Sequence, residues 1–175
     1  MQRILLITGA LCLACAVQAQ SLDLPQRAGE RPQTTDTVPH LQLGLEINRD
    51  LADALLQRVA SLPGVSLGNT AISLPGAVGF HLDPALQLAQ PGAIVGGLEF
   101  AHMHPDGSLH ASLEPGLART AIAAGWAVAH PWADQREGWA GFVMIYTPRT
   151  EVELEVVATL VEASYAYITG ATLQN

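Results

Sequence analysis

The sequence predicts an α+β domain, an antiparallel sheet with about three helices packed mainly on one face. Short runs that are densely apolar or alternate apolar with polar residues are separated by turn residues. Other segments repeat apolar residues every three or four positions, as amphipathic helices do. The hairpin-like runs lie between and beside these helical segments.

Asn48 is placed to cap a helix running to about Ser61. Its stripe is Leu51, Leu55, Val59 and Leu62, and Pro63-Gly64 stops it. "VSLGNTAISL" and "AVGFHL" read as short strands. "GAIVGGLEFAHMH" reads as a longer strand, with Gly96-Gly97 as a bulge or bend. "SLHASL" alternates: Leu109, Ala111 and Leu113 face one way, and Ser108, His110 and Ser112 face the other. Residues 114–125 form a short helix, with Pro115 near its start and Gly125 just past its end. "WAVAH" is a strand or an extension of that helix, and "GFVMIYT" is a strand. Thr150 and Glu153 make a capping box for a last helix, whose buried face carries Val156, Val157, Leu160, Val161 and Ile168.

The chain of 175 residues divides into three parts. Residues 1–19 read as a signal peptide: Arg3 supplies the positive end, Ile4 to Val17 the apolar run, and Val17-Gln18-Ala19 the cleavage site. The run is short for a membrane span, which needs about 20 residues, so no span is expected after cleavage. A periplasmic or secreted location follows. Residues 20–40, polar and broken by prolines, read as a flexible linker outside the fold. Residues 41–175 form a single domain. Both cysteines, Cys12 and Cys15, fall in the signal segment, so the mature chain has no thiolate chemistry and no sulfur-ligated metal. A net charge of −8 without a basic cluster argues against a nucleic-acid partner. There is no Gly-rich nucleotide loop and no G-x-S-x-G nucleophile elbow.

Three of the six histidines sit in "EFAHMHPDGSLH", residues 99–110. With Pro105-Asp106-Gly107 as a three-residue hairpin loop, His104 faces Ser108, His102 faces His110 and Phe100 faces Ser112. Strict alternation puts Phe100, His102, His104, Ser108, His110 and Ser112 on one face and Glu99 on the other. Three converging imidazoles can perform metal-free acid–base chemistry. They can instead bind Zn or Fe through His102, His104 and His110, or simply form the polar face of a hairpin. His130 either joins the cluster or is structural. His40 and His81 stand outside it. Trp126, Trp132 and Trp139 are core, or the walls of a pocket for a flat ligand. Arg149 either holds a ligand oxyanion near the last helix or pairs with Glu153.

"EFAHMHPDGSLHASL", "AAGWAVAHPWA" and "GWAGFVMIYTPRTEVELEVVATLVEASYAYITG" resemble the luciferase-like domain of the fungal luciferase family and its bacterial relatives. The resemblance covers about residues 97–170. The fungal enzymes of that family oxidise a hydroxylated pyrone with molecular oxygen and need no metal or organic cofactor, so the resemblance implies metal-free chemistry, whereas bacterial members need not meet that pyrone. Carried onto this sequence, the resemblance points at His102, His104, His110, His130, Tyr146 and Arg149. The fungal proteins are longer and carry an N-terminal membrane segment, and light emission is not expected of this chain. The combined expectation is an exported domain that binds a small planar enolisable compound as a cofactor-independent oxygenase. In it, His102 or His104 takes a proton, His110 orients it, Arg149 holds the oxyanion, and Phe100, Tyr146 and the tryptophans contact the ligand. The alternative is a non-catalytic small-molecule or metal-binding module of the cell envelope.

Overall fold

The computed structural model describes residues 22–172, so the expected signal peptide lies outside the described residues. The chain forms a small two-stranded sheet, β1 (Gln33–Thr34) with β2 (Gln42–Leu43), and a six-stranded antiparallel sheet. The strands of the large sheet are β3 (Val65–Asn69), β4 (Val78–Leu82), β5 (Glu99–Met103), β6 (Leu109–Ser112), β7 (Ala127–Ala129) and β8 (Phe142–Ile145). Their order is β3-β4-β5-β6-β8-β7. The helices are α1 (Arg49–Ala60), α2 (Pro115–Ala123) and α3 (Glu151–Thr169). The α+β architecture matches the expectation. None of the described helices is long and apolar enough to cross a membrane.

Helix ends follow local chemistry. The Asn48 side chain accepts hydrogen bonds from Asp50 N–H and Leu51 N–H at the start of α1. The Thr150 hydroxyl accepts from Glu153 N–H at the start of α3. The Glu153 carboxylate reaches back one residue further than a standard capping box, accepting from Arg149 N–H at 2.9 Å. Gly170 closes α3 in the left-handed region, at φ 76.

All three helices feed one core. Leu55 and Val59 of α1, Ala121 of α2 and Leu160 and Val161 of α3 join Phe80, Ala101, Met103, Leu109, Ala111, Val143 and Ile145 of the sheet. The opposite face carries His102 and His110, and irregular chain covers it instead of a helix.

Three sequence expectations need correction. First, residues 22–40 are packed against the domain and do not lie outside it. Trp126 Nε1 donates to Pro25 O at 2.6 Å, Arg27 Nη2 to Thr147 O at 3.0 Å, and Arg31 Nη2 to Ile122 O at 2.9 Å. Single anchors of this kind leave no periodic trace. Second, the long strand read from "GAIVGGLEFAHMH" is only Glu99–Met103. A 3-10 turn at Pro91–Ala93 and positive φ at Gly97 break its first half, consistent with the bend expected at Gly96-Gly97.

Third, Phe100 leaves the histidine face. Phe80 pairs with Ala101, yet His81 pairs with Glu99, so β5 holds one extra residue there. Such a β-bulge reverses alternation on its far side. Phe100 turns into the helix-side core, 6.0 Å from both the Phe80 and Tyr165 rings. Glu99 takes its place on the histidine face.

Phe100→Ala is expected to lower stability by about 3–5 kcal/mol, measured by urea denaturation. A ligand bound on the opposite face should keep its affinity in the folded variant.

Candidate functional site

The hairpin forms in the expected register: His102 pairs with His110, and Met103 with Leu109. His104 N–H donates to Ser108 O at 2.8 Å, and Gly107 closes the loop at φ 82. His102, His104 and His110 share one face, all buried. Ring centroids lie 5.2 Å apart for His102 and His104, 5.1 Å for His102 and His110, and 4.5 Å for His104 and His110. His130, at the end of β7, joins them 4.6 Å from His110.

His40, read as background, completes the cluster, its ring stacked 5.3 Å from that of His110. Its position comes from a Thr35 clasp. The Thr35 hydroxyl donates to Pro39 O at 2.8 Å and accepts from Leu41 N–H at 2.9 Å. Nothing in "TVPHLQ" marks this histidine as a site residue. His81, the other background histidine, contacts Asn69 O and stays outside.

A cavity of about 260 Å³ opens beside these rings. His40, His102, His104, His110 and His130 supply its polar wall. Trp132, Phe142, Ile72, Leu74, Val38 and Leu41 supply much of its apolar wall. Trp132 thus lines the cavity, and Trp139 backs it, stacked at 6.3 Å.

The other expected contacts do not reach this cavity. Trp126 and Tyr146 pack against the Arg27 guanidinium, 5.7 and 5.5 Å from their ring centres. β8 ends at Ile145, so alternation does not carry Tyr146 onto the histidine face. Arg149 binds the Glu153 carboxylate and donates to Ala28 O at 2.6 Å, realising the ion pair weighed as its alternative role. Its place in the catalytic set is therefore corrected.

Hydrogen bonds fix which ring nitrogens face the cavity as donors or acceptors. Glu99 Oε1 lies 2.9 Å from His102 Nδ1, so that nitrogen carries the hydrogen. His102 Nε2 meets His110 Nδ1 at 3.1 Å, and His110 Nε2 meets His40 Nδ1 at 3.3 Å. A four-member chain therefore runs from a buried carboxylate to a ring in the cavity wall. Glu99 also accepts from the Thr70 hydroxyl at 2.8 Å and Ala71 N–H at 2.7 Å, which ties it to the segment bearing Ile72 and Leu74.

His104 and His130 are set oppositely. The Ser108 hydroxyl donates to Asp106 Oδ1 at 2.7 Å, so its oxygen accepts from His104 Nδ1–H at 3.1 Å. His104 Nε2 then holds a lone pair. At His130 it is Nδ1 that accepts, from Trp132 N–H at 3.0 Å, so the hydrogen sits on Nε2.

Electrostatics keep His40, His104, His110 and His130 uncharged. Burial, then neighbouring histidines, lowers His104 to about 4 and His130 to about 3. The same causes lower His110, and burial lowers His40. Burial pushes the Glu99 carboxyl up, but hydrogen bonds from His102, Ala71 and Thr70 outweigh it and hold the group below its usual value.

These histidines bind protons more weakly folded than unfolded. As pH falls through the ordinary value of 6.5, the unfolded chain takes up protons that the cluster refuses, and stability drops. The contributions of His104 and His130 to this loss stop growing once they titrate near 4 and near 3. Thermal melts are expected to show Tm falling between about pH 7 and pH 4, with a weaker dependence in His104→Gln.

Residues 97–164 match the family model described as Luciferase domain. The chain is 30% identical over 170 residues to luciferases from Armillaria mellea and Armillaria ostoyae, and 30% identical over 167 residues to that of Neonothopanus nambi. Each match covers 85% of this chain and 62% of the relative, so the chain spans under two thirds of their length. No solved structure matches. The matched stretch holds the hairpin, His130 and most of α3, and through it the chain is similar to the luciferase-like domain family.

Proposed function

We propose that this domain takes a proton from a small, flat, enolisable compound and passes the resulting enolate to molecular oxygen, without a metal. The observation that carries this reading is the His104 hydrogen-bond set. Ser108 and Asp106 hold Nδ1–H, which leaves Nε2 as an uncharged acceptor in the wall of a mostly apolar cavity. That is the state required of a general base. Of the two candidates read from the sequence, His104 suits the role better, because both nitrogens of His102 already have partners.

The step balances as follows. His104 Nε2 accepts the proton of an acidic C–H bond, and the bonding pair delocalises onto the adjacent carbonyl oxygen. One electron passes to oxygen, and the substrate radical and superoxide couple to form a C–O bond. The proton returns from His104 to the outer oxygen. The product is a hydroperoxide, with oxygen reduced by the two electrons of the original C–H bond. The Glu99–His102–His110–His40 chain offers a second proton route. A proton arriving at His40 Nε2 can shift each bond in turn and place the charge beside Glu99. Export to the periplasm or the medium, through the segment 1–19, belongs to the same proposal.

A metal-binding module is the second reading, and one observation favours it. His102, His104 and His110 form one three-histidine group, and His40, His110 and His130 another; within each, ligand atoms lie within 4.8 Å of one another. In the first group Glu99 would orient His102 from behind, as carboxylates do behind zinc-bound histidines.

Deuterium incorporation into 2-indanone, a flat ketone with acidic C–H bonds, tests the acid–base reading by proton NMR in D2O. The wild-type chain is expected to accelerate exchange, and His104→Gln to reduce the acceleration at least about a hundredfold. Stoichiometric Zn or Fe in the purified protein, lost in His104→Gln, would replace this scheme with the metal one.

A further inference from the structure

We propose that His130 is the hydrogen-bond donor that holds the ligand's carbonyl or enolate oxygen, and that the cavity therefore selects uncharged flat carbonyl compounds over carboxylates and phosphates. This rests on the acid–base reading above and adds the recognising residue and the ligand class.

The donor role follows from what His130 is bonded to. Trp132 N–H occupies Nδ1 at 3.0 Å, and a ring nitrogen that accepts a hydrogen bond carries no hydrogen. Nε2 must then be the donor. Among the described residues nothing accepts from it, and the ring lines the cavity. The backbone holds the ring in place: His130 N–H donates to Phe142 O at 3.0 Å, and His130 O accepts from Ala133 N–H at 2.9 Å. The Phe142 ring packs against it at 4.3 Å. Such a group is fixed before the ligand arrives, which is what stabilisation of a developing oxyanion requires.

The ligand class follows from what the wall lacks. The sequence contains no lysine, and none of the seven arginines among the described residues lines the cavity. Arg149 is committed to Glu153 and Ala28 O. A carboxylate or phosphate entering here would lose its hydration and gain no cation in return. A ketone or lactone oxygen needs only a neutral donor, and His104 Nε2 supplies the complementary acceptor for its proton.

The test combines three measurements on the full chain. In ¹⁵N-histidine NMR at neutral pH, His130 is expected as the Nε2–H tautomer. In 2-indanone exchange, His130→Ala is expected to lose about a hundredfold in rate, and His130→Gln, which keeps an N–H donor, to recover most of it. In saturation-transfer competition, 2-indanone is expected to bind and indane-2-carboxylate, the same skeleton with an anionic group, to fail to displace it. An Nδ1–H tautomer, an unchanged rate in His130→Ala, or displacement by the carboxylate would overturn the proposal. A wild-type chain that binds 2-indanone but exchanges nothing would count against His104 as base. The tautomer and the ketone preference would then still decide the role of His130.

Discussion

The site depends on a carboxylate brought to the histidine side of a strand by one extra residue. Without the bulge in β5, Glu99 would point among the helices and Phe100 into the cavity. With it, Glu99 bonds His102, Thr70 and Ala71 together. It thereby orders the imidazole chain and anchors the loop bearing Ile72 and Leu74. Burying a carboxylate is unfavourable unless its lone pairs are filled. Here a ring N–H, a hydroxyl and a backbone amide fill them, so the charge persists in a site that keeps His40, His104, His110 and His130 neutral.

Burial explains most of that neutrality, and crowding adds to it for His104, His110 and His130. Five imidazoles surround one cavity, and protonating one raises the cost of protonating the next. An apolar cover strengthens the effect by withholding water. The result is a cavity of uncharged acceptors and donors, sorted by their outer hydrogen bonds: Ser108 and Asp106 behind His104, the Trp132 amide behind His130. Neither ring needs a formal charge to act, which suits a ligand that is itself neutral on entry.

Much of this was legible in the sequence. The Pro-Asp-Gly loop and the alternation of "SLHASL" place His102 against His110, because hairpin register is a local property. The helix caps at Asn48 and Thr150 are equally local. What escaped was non-local or irregular. The bulge is defined by pairing with β4, a strand read separately, so the exchange of Glu99 and Phe100 could not be seen from alternation. His40 enters through a segment without periodicity, held by Thr35. Arg149 and Tyr146 lie in the stretch that matches the family model but serve the packing of residues 22–40. Proximity in a motif did not distinguish a cavity residue from a buttress.

The stretch that matches the family model starts at residue 97, whereas Val38–Leu41 forms part of the cavity's cover. A fragment trimmed to the recognisable motif would keep the hairpin, His130 and Arg149 yet lose the ring that ends the imidazole chain. It would also open the sheet to bulk water. Engineers who wish to transplant this chemistry onto another scaffold would have to carry the unremarkable N-terminal peptide along with the motif.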